Sequence, residues 1–177
     1  MKAQGPTTTP AGSAEELLQR IAVCFADVRR PTRITKTVAR ATDDEWHLPE
    51  SRRALLYSQD PETSWDQLAD DEMEKYFDVF PFLEAEGYLF YLPAFMSHVL
   101  RMYPRVTGGN AVDFTIYACM HSCESFRLFD SEQMRCVVDF LTLCAAVENF
   151  CDSHSAAQAA DLMESCPNAP SDMRRTA

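Results

Sequence analysis

The chain has 177 residues, 46% hydrophobic and 24% charged, the balance of one globular domain with a core rather than of a disordered chain. A formal net charge of −11 works against nucleic acid and anionic membrane as partners. Residues 1–12 hold no apolar run of signal-peptide type. The most apolar window, residues 88–96, is about half the roughly 20 residues a membrane-spanning helix needs. Sec-type export and membrane insertion are therefore unexpected, and a cytoplasmic location is expected.

Residues 1–12, rich in Thr, Pro, Ala and Gly, read as a flexible tail. Ser13 and Glu16 then form a capping box, and Leu17, Leu18, Ile21, Phe25 and Val28 recur at helical spacing until Pro31 stops the run. Residues 31–44 carry the β-branched Ile34, Thr35, Thr37 and Val38, which suit an edge strand or an extended loop. A helix is expected over residues 49–57, with Leu55 and Leu56 inward. After a turn at Asp60 and Pro61, Ser64 and Trp65 lead into a short segment with Leu68.

The next helix starts at Asp70 or Asp71 and places Met73, Tyr76, Phe77 and Phe80 on one face, with Asp70, Asp71 and Glu72 where a helix start favours negative charge. Residues 84–103 are the strongest core candidate: Leu92, Phe95, Met96, Val99, Leu100 and Tyr103 form a helical stripe. Pro93 predicts a kink there, or a helix that starts anew, because an interior proline costs about 3 kcal/mol. Residues 112–120 alternate Phe114, Ile116 and Ala118 with Thr115 and Tyr117, as a short strand would. Asp130 and Gln133 make a second capping box. Phe129 and Met134 are spaced as a hydrophobic staple, and Val137, Val138, Leu141, Cys144 and Ala145 continue the stripe. Residues 153–177 drift into small and polar residues and read as a mostly flexible tail, with a helical turn or two at residues 156–163. The expectation is a mostly α, compact single domain of about five helices with one or two short strands, spanning residues 13–152 between flexible ends.

Several of these segments carry a resemblance. Trp65 and Leu68 precede an acidic helix and then Tyr91-Leu92-Pro93-Ala94-Phe95; farther on come Phe129, Glu132-Gln133, Val137-Val138 and Phe140-Leu141. The order resembles an uncharacterised bacterial domain-of-unknown-function family with a Tyr-Leu-Pro-Ala motif, over about residues 14–148. The resemblance implies a small bacterial cytosolic domain and supplies no catalytic residue.

Chemistry-bearing residues are many, but none falls into a known catalytic pattern. The odd number of cysteines, seven, set among apolar residues, reads as reduced and partly buried thiols rather than a disulfide framework. Cys119-x-His121-x-Cys123 offers the right ligand types for zinc, with His98, Cys136 or Cys151 as the fourth, but its spacing matches no common zinc motif. No nucleophile signature surrounds Cys24, Cys119 or Cys123, and none of His47, His98, His121 and His154 is marked as their base. The carboxylate pairs Asp43/Asp44, Asp70/Asp71 and Glu72/Glu74 suit helix capping and solvation better than acid/base catalysis. No catalytic residue, metal ligand or cofactor is assigned.

Charge is the remaining signal. Residues 43–86 hold fourteen acidic and three basic residues, a local charge of −11, while the rest of the chain balances. Just upstream, residues 29–40 carry Arg29, Arg30, Arg33, Lys36 and Arg40 and no acid. The expectation is a non-enzymatic domain that docks a basic partner protein, a toxin neutralised by an immunity protein or an effector held by a secretion chaperone or adaptor. Asp66, Asp70, Asp71 and Glu74 would steer the encounter, and Phe82, Tyr88 and Phe90, where exposed, would anchor it. A metal- or thiol-dependent enzyme using Cys119, His121 and Cys123 is the alternative.

Overall fold

A computed structural model describes residues 13–45, 47–105, 109–147 and 149–173. Among them lie eight α-helices: α1 Ala14–Cys24, α2 Lys36–Asp44, α3 Glu50–Tyr57, α4 Asp70–Lys75, α5 Ala85–Met102, α6 Asn110–Ala118, α7 Ser131–Ala145 and α8 Ser153–Ser165. Three 3₁₀ turns, Trp65–Gln67, Phe80–Phe82 and Cys123–Phe126, join them, and no strand occurs among the described residues. The mostly α expectation holds, with more helices than the five expected and without the strands.

The axis of the fold is α5, in which every residue from Phe90 to Leu100 is buried. A helix apolar around its whole circumference must be surrounded. Here α1, α4, α6 and the turns at Trp65–Gln67 and Cys123–Phe126 surround it. Pro93 sits within one continuous helix, so the expected restart does not occur. Gly87 allows the close approach of Leu83, since a Cβ there would lie 2.9 Å from Leu83 Cδ2 and 3.0 Å from its Cβ.

Both capping boxes form. Ser13 accepts from the Glu16 N–H at 3.2 Å while Glu16 accepts from Ser13 N–H at 2.8 Å. Asp130 and Gln133 repeat the arrangement at 2.8 and 3.0 Å. Phe129 and Met134 are both buried beside the second box. The Gln133 amide also donates to the Cys24 carbonyl at 3.0 Å, tying the start of α7 to the end of α1.

Three segments depart from expectation. Residues 36–44 are helical rather than extended, because Asp60, twenty-three residues away, accepts from the Thr37 N–H and hydroxyl at 3.0 and 2.7 Å and caps the helix from outside its own sequence. Residues 110–118 are helical as well. Ala111, Val112, Thr115 and Ile116 are buried at helical spacing, and Thr115 returns its hydroxyl to the Ala111 carbonyl. The segment from Ser153 forms α8, whose Ala156, Ala159, Ala160 and Met163 pack against α7 and α6. Residues 1–12 lie outside the described residues. Within α3, Leu56 is buried as expected, but Leu55 is 58% exposed.

Candidate functional site

The basic segment ahead of the acidic block folds back onto it. Lys36 is buried, and its ammonium contacts Glu62 at 2.6 Å, Asp60 at 2.9 Å and Glu72 at 3.1 Å. Arg40 pairs with Asp78 at 2.5 Å, and Arg33 reaches Glu84 at 3.7 Å. Burial disfavours the Lys36 charge, but the three carboxylates more than offset it and hold the ammonium above its ordinary value. Asp60 is held below the ordinary carboxylate value: burial opposes its charge, and hydrogen bonds from Thr37 and Lys36 outweigh that penalty. Asp60, Glu62 and Glu72 are thus drawn out of the acidic block into an ion cluster that fastens α2 to the body.

The acids left outside fall on α2 and α3 (Asp43, Asp44, Glu50), at the start of α5 (Glu84, Glu86) and on the edge formed by the Trp65–Gln67 turn and α4. Asp66, Asp70, Asp71 and Glu74 are all exposed there. The near-buried His98 of α5 lies 3.2 Å from Asp70 and 3.1 Å from Glu74, and Arg101 pairs with Asp70 as well. Burial opposes the Asp70 charge, but hydrogen bonds from Arg101 and His98 and the Arg101 charge overcome it and hold the carboxyl below its usual range. Asp66 accepts from the Ser64 hydroxyl. No cation pairs with Asp66 or Asp71 among the described residues.

Beside this edge is a cleft of about 190 Å³ between α1, α5 and the Trp65 turn. Leu18, Trp65 and Leu68 wall it, and Asp66 and Arg101 stand at its mouth. Ser97 lines the inside; it is 4% exposed and its hydroxyl has no hydrogen-bond partner. The Trp65 indole is fixed by donating to the Phe25 carbonyl at 2.9 Å. Ser97 and Arg101 went unmarked in the sequence, and His98 was weighed there only as a fourth zinc ligand or a base for a cysteine. Their signal was the spacing of His98 and Arg101, three apart on α5 and both turned to α4.

The expected aromatic anchors fare differently. Tyr88 and Phe90 are 2% and 0% exposed, so they cannot serve as surface anchors. Tyr88 packs edge-on to Phe80 and Phe126 at 5.2 and 5.6 Å, and Phe90 edge-on to Tyr91 at 5.0 Å. Phe82 is half-buried against Ala39, Tyr76 and Val79.

A larger cleft, about 540 Å³, opens at the far end of α1. The exposed Val23 and Leu128 flank it, and Asp27, Arg29, Glu86 and Asp130 give it charges of both signs.

The cysteines are corrected in one respect. Cys123 and Cys166 form a disulfide between the turn after α6 and the end of α8, so these two are not reduced thiols. Cys123 is then no free thiolate for a zinc set with Cys119 and His121. Cys119 is fully buried, and that burial pushes its thiol well above the ordinary range. Among the described residues no group of three or more His, Cys, Asp or Glu is placed to hold a metal ion. No helix among them is long and apolar enough to cross a membrane.

Residues 13–164, from the first capping box through α8, match the model of DUF6714, a family of unknown function. The chain belongs to DUF6714. The DUF6714 match takes in both capping boxes, the central helix with its Tyr91-Leu92-Pro93-Ala94 segment, and the Lys36 cluster, and it runs past residue 148 to include α8. No curated protein and no solved structure matches the chain.

Proposed function

We propose that this DUF6714 member is a non-enzymatic protein-binding domain, and that the edge carrying Asp66, Asp70, Asp71 and Glu74 docks a basic partner protein. The observation that carries the reading is the exposure of all four carboxylates on the Trp65–Gln67 turn and α4, beside a cleft, while Asp60 and Glu62 are buried against Lys36. His98 and Arg101 hold Asp70 and Glu74 from behind, so their orientation costs little on association. Asp66 and Asp71 carry the uncompensated charge. The adjoining cleft suits a lysine or arginine of the partner: Leu18, Trp65 and Leu68 cover the aliphatic stem, Asp66 meets the charged head, and Ser97 offers a buried hydroxyl. With Tyr88 and Phe90 inside, the cleft that Trp65 lines takes over the anchoring role. Inhibition of a basic toxin, as by a bacterial cytoplasmic immunity protein, is the form of this reading that a small acidic domain fits best.

The test compares the wild-type chain with Asp66→Lys/Asp71→Lys in capture from the source cell, followed by association kinetics with the captured protein. A basic partner held by the wild type and lost by the reversed chain, with an association rate that falls as salt rises, supports the reading. A partner retained equally by the reversed chain, or the absence of any basic protein, overturns it.

A further inference from the structure

Six of the seven cysteines meet in space as three couples. Cys123 and Cys166 are bonded, Cys24 lies beside Cys136, and Cys144 lies beside Cys151. Only Cys119 stands apart from a couple, sealed in the core. The third couple sets a sheltered thiol beside a more accessible one. Cys144 is fully buried on the last turn of α7, whereas Cys151 is half-buried just ahead of the Asp152 cap of α8. The chain reverses between them through Asn149, whose φ of 66° is in the left-handed region that asparagine tolerates. Phe150 is buried edge-on to Tyr103 at 5.0 Å and pins that reversal. The Cys151 thiol donates to the Cys144 carbonyl at 3.4 Å, which holds the two residues in contact across the reversal.

We propose that Cys144 and Cys151 form a redox-active dithiol, with Cys151 the attacking sulfur and Cys144 the resolving one, and that its oxidant is a small disulfide of the glutathione class. The Cys151 thiolate attacks one sulfur of the disulfide. That S–S bond breaks, a mixed disulfide forms on Cys151, and the first glutathione leaves as thiolate. Cys144 then attacks the Cys151 sulfur and passes its proton to the departing glutathione sulfur. The Cys144–Cys151 bond forms, and the second glutathione leaves. Two electrons pass from the protein dithiol to the disulfide, and two glutathione thiols result. The roles follow from exposure, since only Cys151 is within reach of a solvent-borne disulfide. The local chemistry agrees: the Cys144 thiol donates to the Cys151 sulfur and favours its thiolate against burial and the carboxylates of Asp113 and Asp152, while Cys144 itself is held protonated by that bond and by burial.

The test equilibrates wild-type protein in glutathione buffers from fully reducing to fully oxidising, quenches with acid, alkylates free thiols and maps the peptides by mass spectrometry. A Cys144–Cys151 linked peptide that appears and disappears with the buffer supports the proposal, as does Cys144→Ser protein that accumulates one glutathione on Cys151. Cys151 remaining open to alkylation in the most oxidising buffer overturns it. So does linkage of Cys144 to Cys119, bond formation confined to Cys24 and Cys136, or glutathione settling on another cysteine of the variant. If Cys144→Ser does not fold, the wild-type map decides alone.

Discussion

The Tyr91 hydroxyl accepts a hydrogen bond from the Lys36 backbone N–H at 3.0 Å, joining the middle of the central helix to the first residue of α2. Both ends of Lys36 are therefore committed: its amide to α5, and its ammonium to Asp60, Glu62 and Glu72. The α2–α3 arm has only small apolar clusters of its own, around Val38 with Leu56 and around Ala39 with Tyr76. Polar contacts decide how that arm sits on the body.

Lys36→Met is expected to destabilise the fold by about 3–5 kcal/mol, since it strands buried carboxylates without their cation. Tyr91→Phe, which removes only an acceptor, is expected to cost about 1–2 kcal/mol. Urea unfolding midpoints check both. Adding Glu62→Gln to Lys36→Met should recover part of the loss; a double variant no better than the single would refute the ion-cluster account.

Stability should have an acid limb set partly by Asp60. Its folded value lies below the ordinary 3.8, so the unfolded chain binds the proton more readily. The contribution is complete well above pH 3.8 and is lost as pH falls through the folded value. Lys36 behaves oppositely: raised above 10.5, it contributes fully below that pH and loses its share as pH climbs through the folded value. Urea midpoints across pH should show a plateau between the limbs, and Asp60→Asn should lower the plateau while flattening the acid limb.

Gly87→Ala sets two effects against each other. Helix propensity favours alanine by about 1 kcal/mol. The new methyl would meet Leu83 Cβ at 3.0 Å, and overpacking of this kind costs about 1–3 kcal/mol. The expected net effect is a lower melting temperature, relieved only in part in the double variant with Leu83→Ala, which removes the Cδ2 and Cγ contacts but keeps the Cβ.

Ser13→Ala and Asp130→Ala should each cost about 1 kcal/mol through a lost N-cap. Gln133→Ala should cost more than Glu16→Ala, because Gln133 also holds the Cys24 carbonyl. Equal losses in thermal unfolding would mean that the bridge from α7 to α1 contributes nothing.

The disulfide closes a separation of 43 residues, for which loop-closure entropy gives about 4 kcal/mol as an upper figure. The Cys123→Ser/Cys166→Ser variant should unfold at a correspondingly lower urea concentration, with little change in helix content by circular dichroism.

What could be read from the sequence was what is specified locally. The boxes at Ser13 and Asp130 mark α1 and α7 because cap and partner lie three residues apart. The stripe from Leu92 marks α5 because its side chains are large. α2 was missed because its cap, Asp60, arrives from another segment, and its β-branched residues alone favour extended chain. α6 was missed because Phe114, Ile116 and Ala118 alternate by chance over a run too short to separate the two periods. α8 was legible only as a turn or two at residues 156–163, because alanines carry little hydrophobic signal, although they permit close helix packing. At the candidate site, the carboxylates from Asp66 to Glu74 were legible as a charged run. Which acids turn inward depended on Lys36, and the burial of Tyr88 and Phe90 on neighbours far along the chain. The pairing of the cysteines was beyond reach, since spacing does not determine partners.

The drop in hydropathy after residue 152 invites an experimenter to trim the chain there. Doing so would strip the cover from α7, remove half of the disulfide and leave Cys123 a loose thiol on a sticky surface. Expression designs that respect the last helix, with any affinity tag spaced beyond it, are the ones that should yield monodisperse protein.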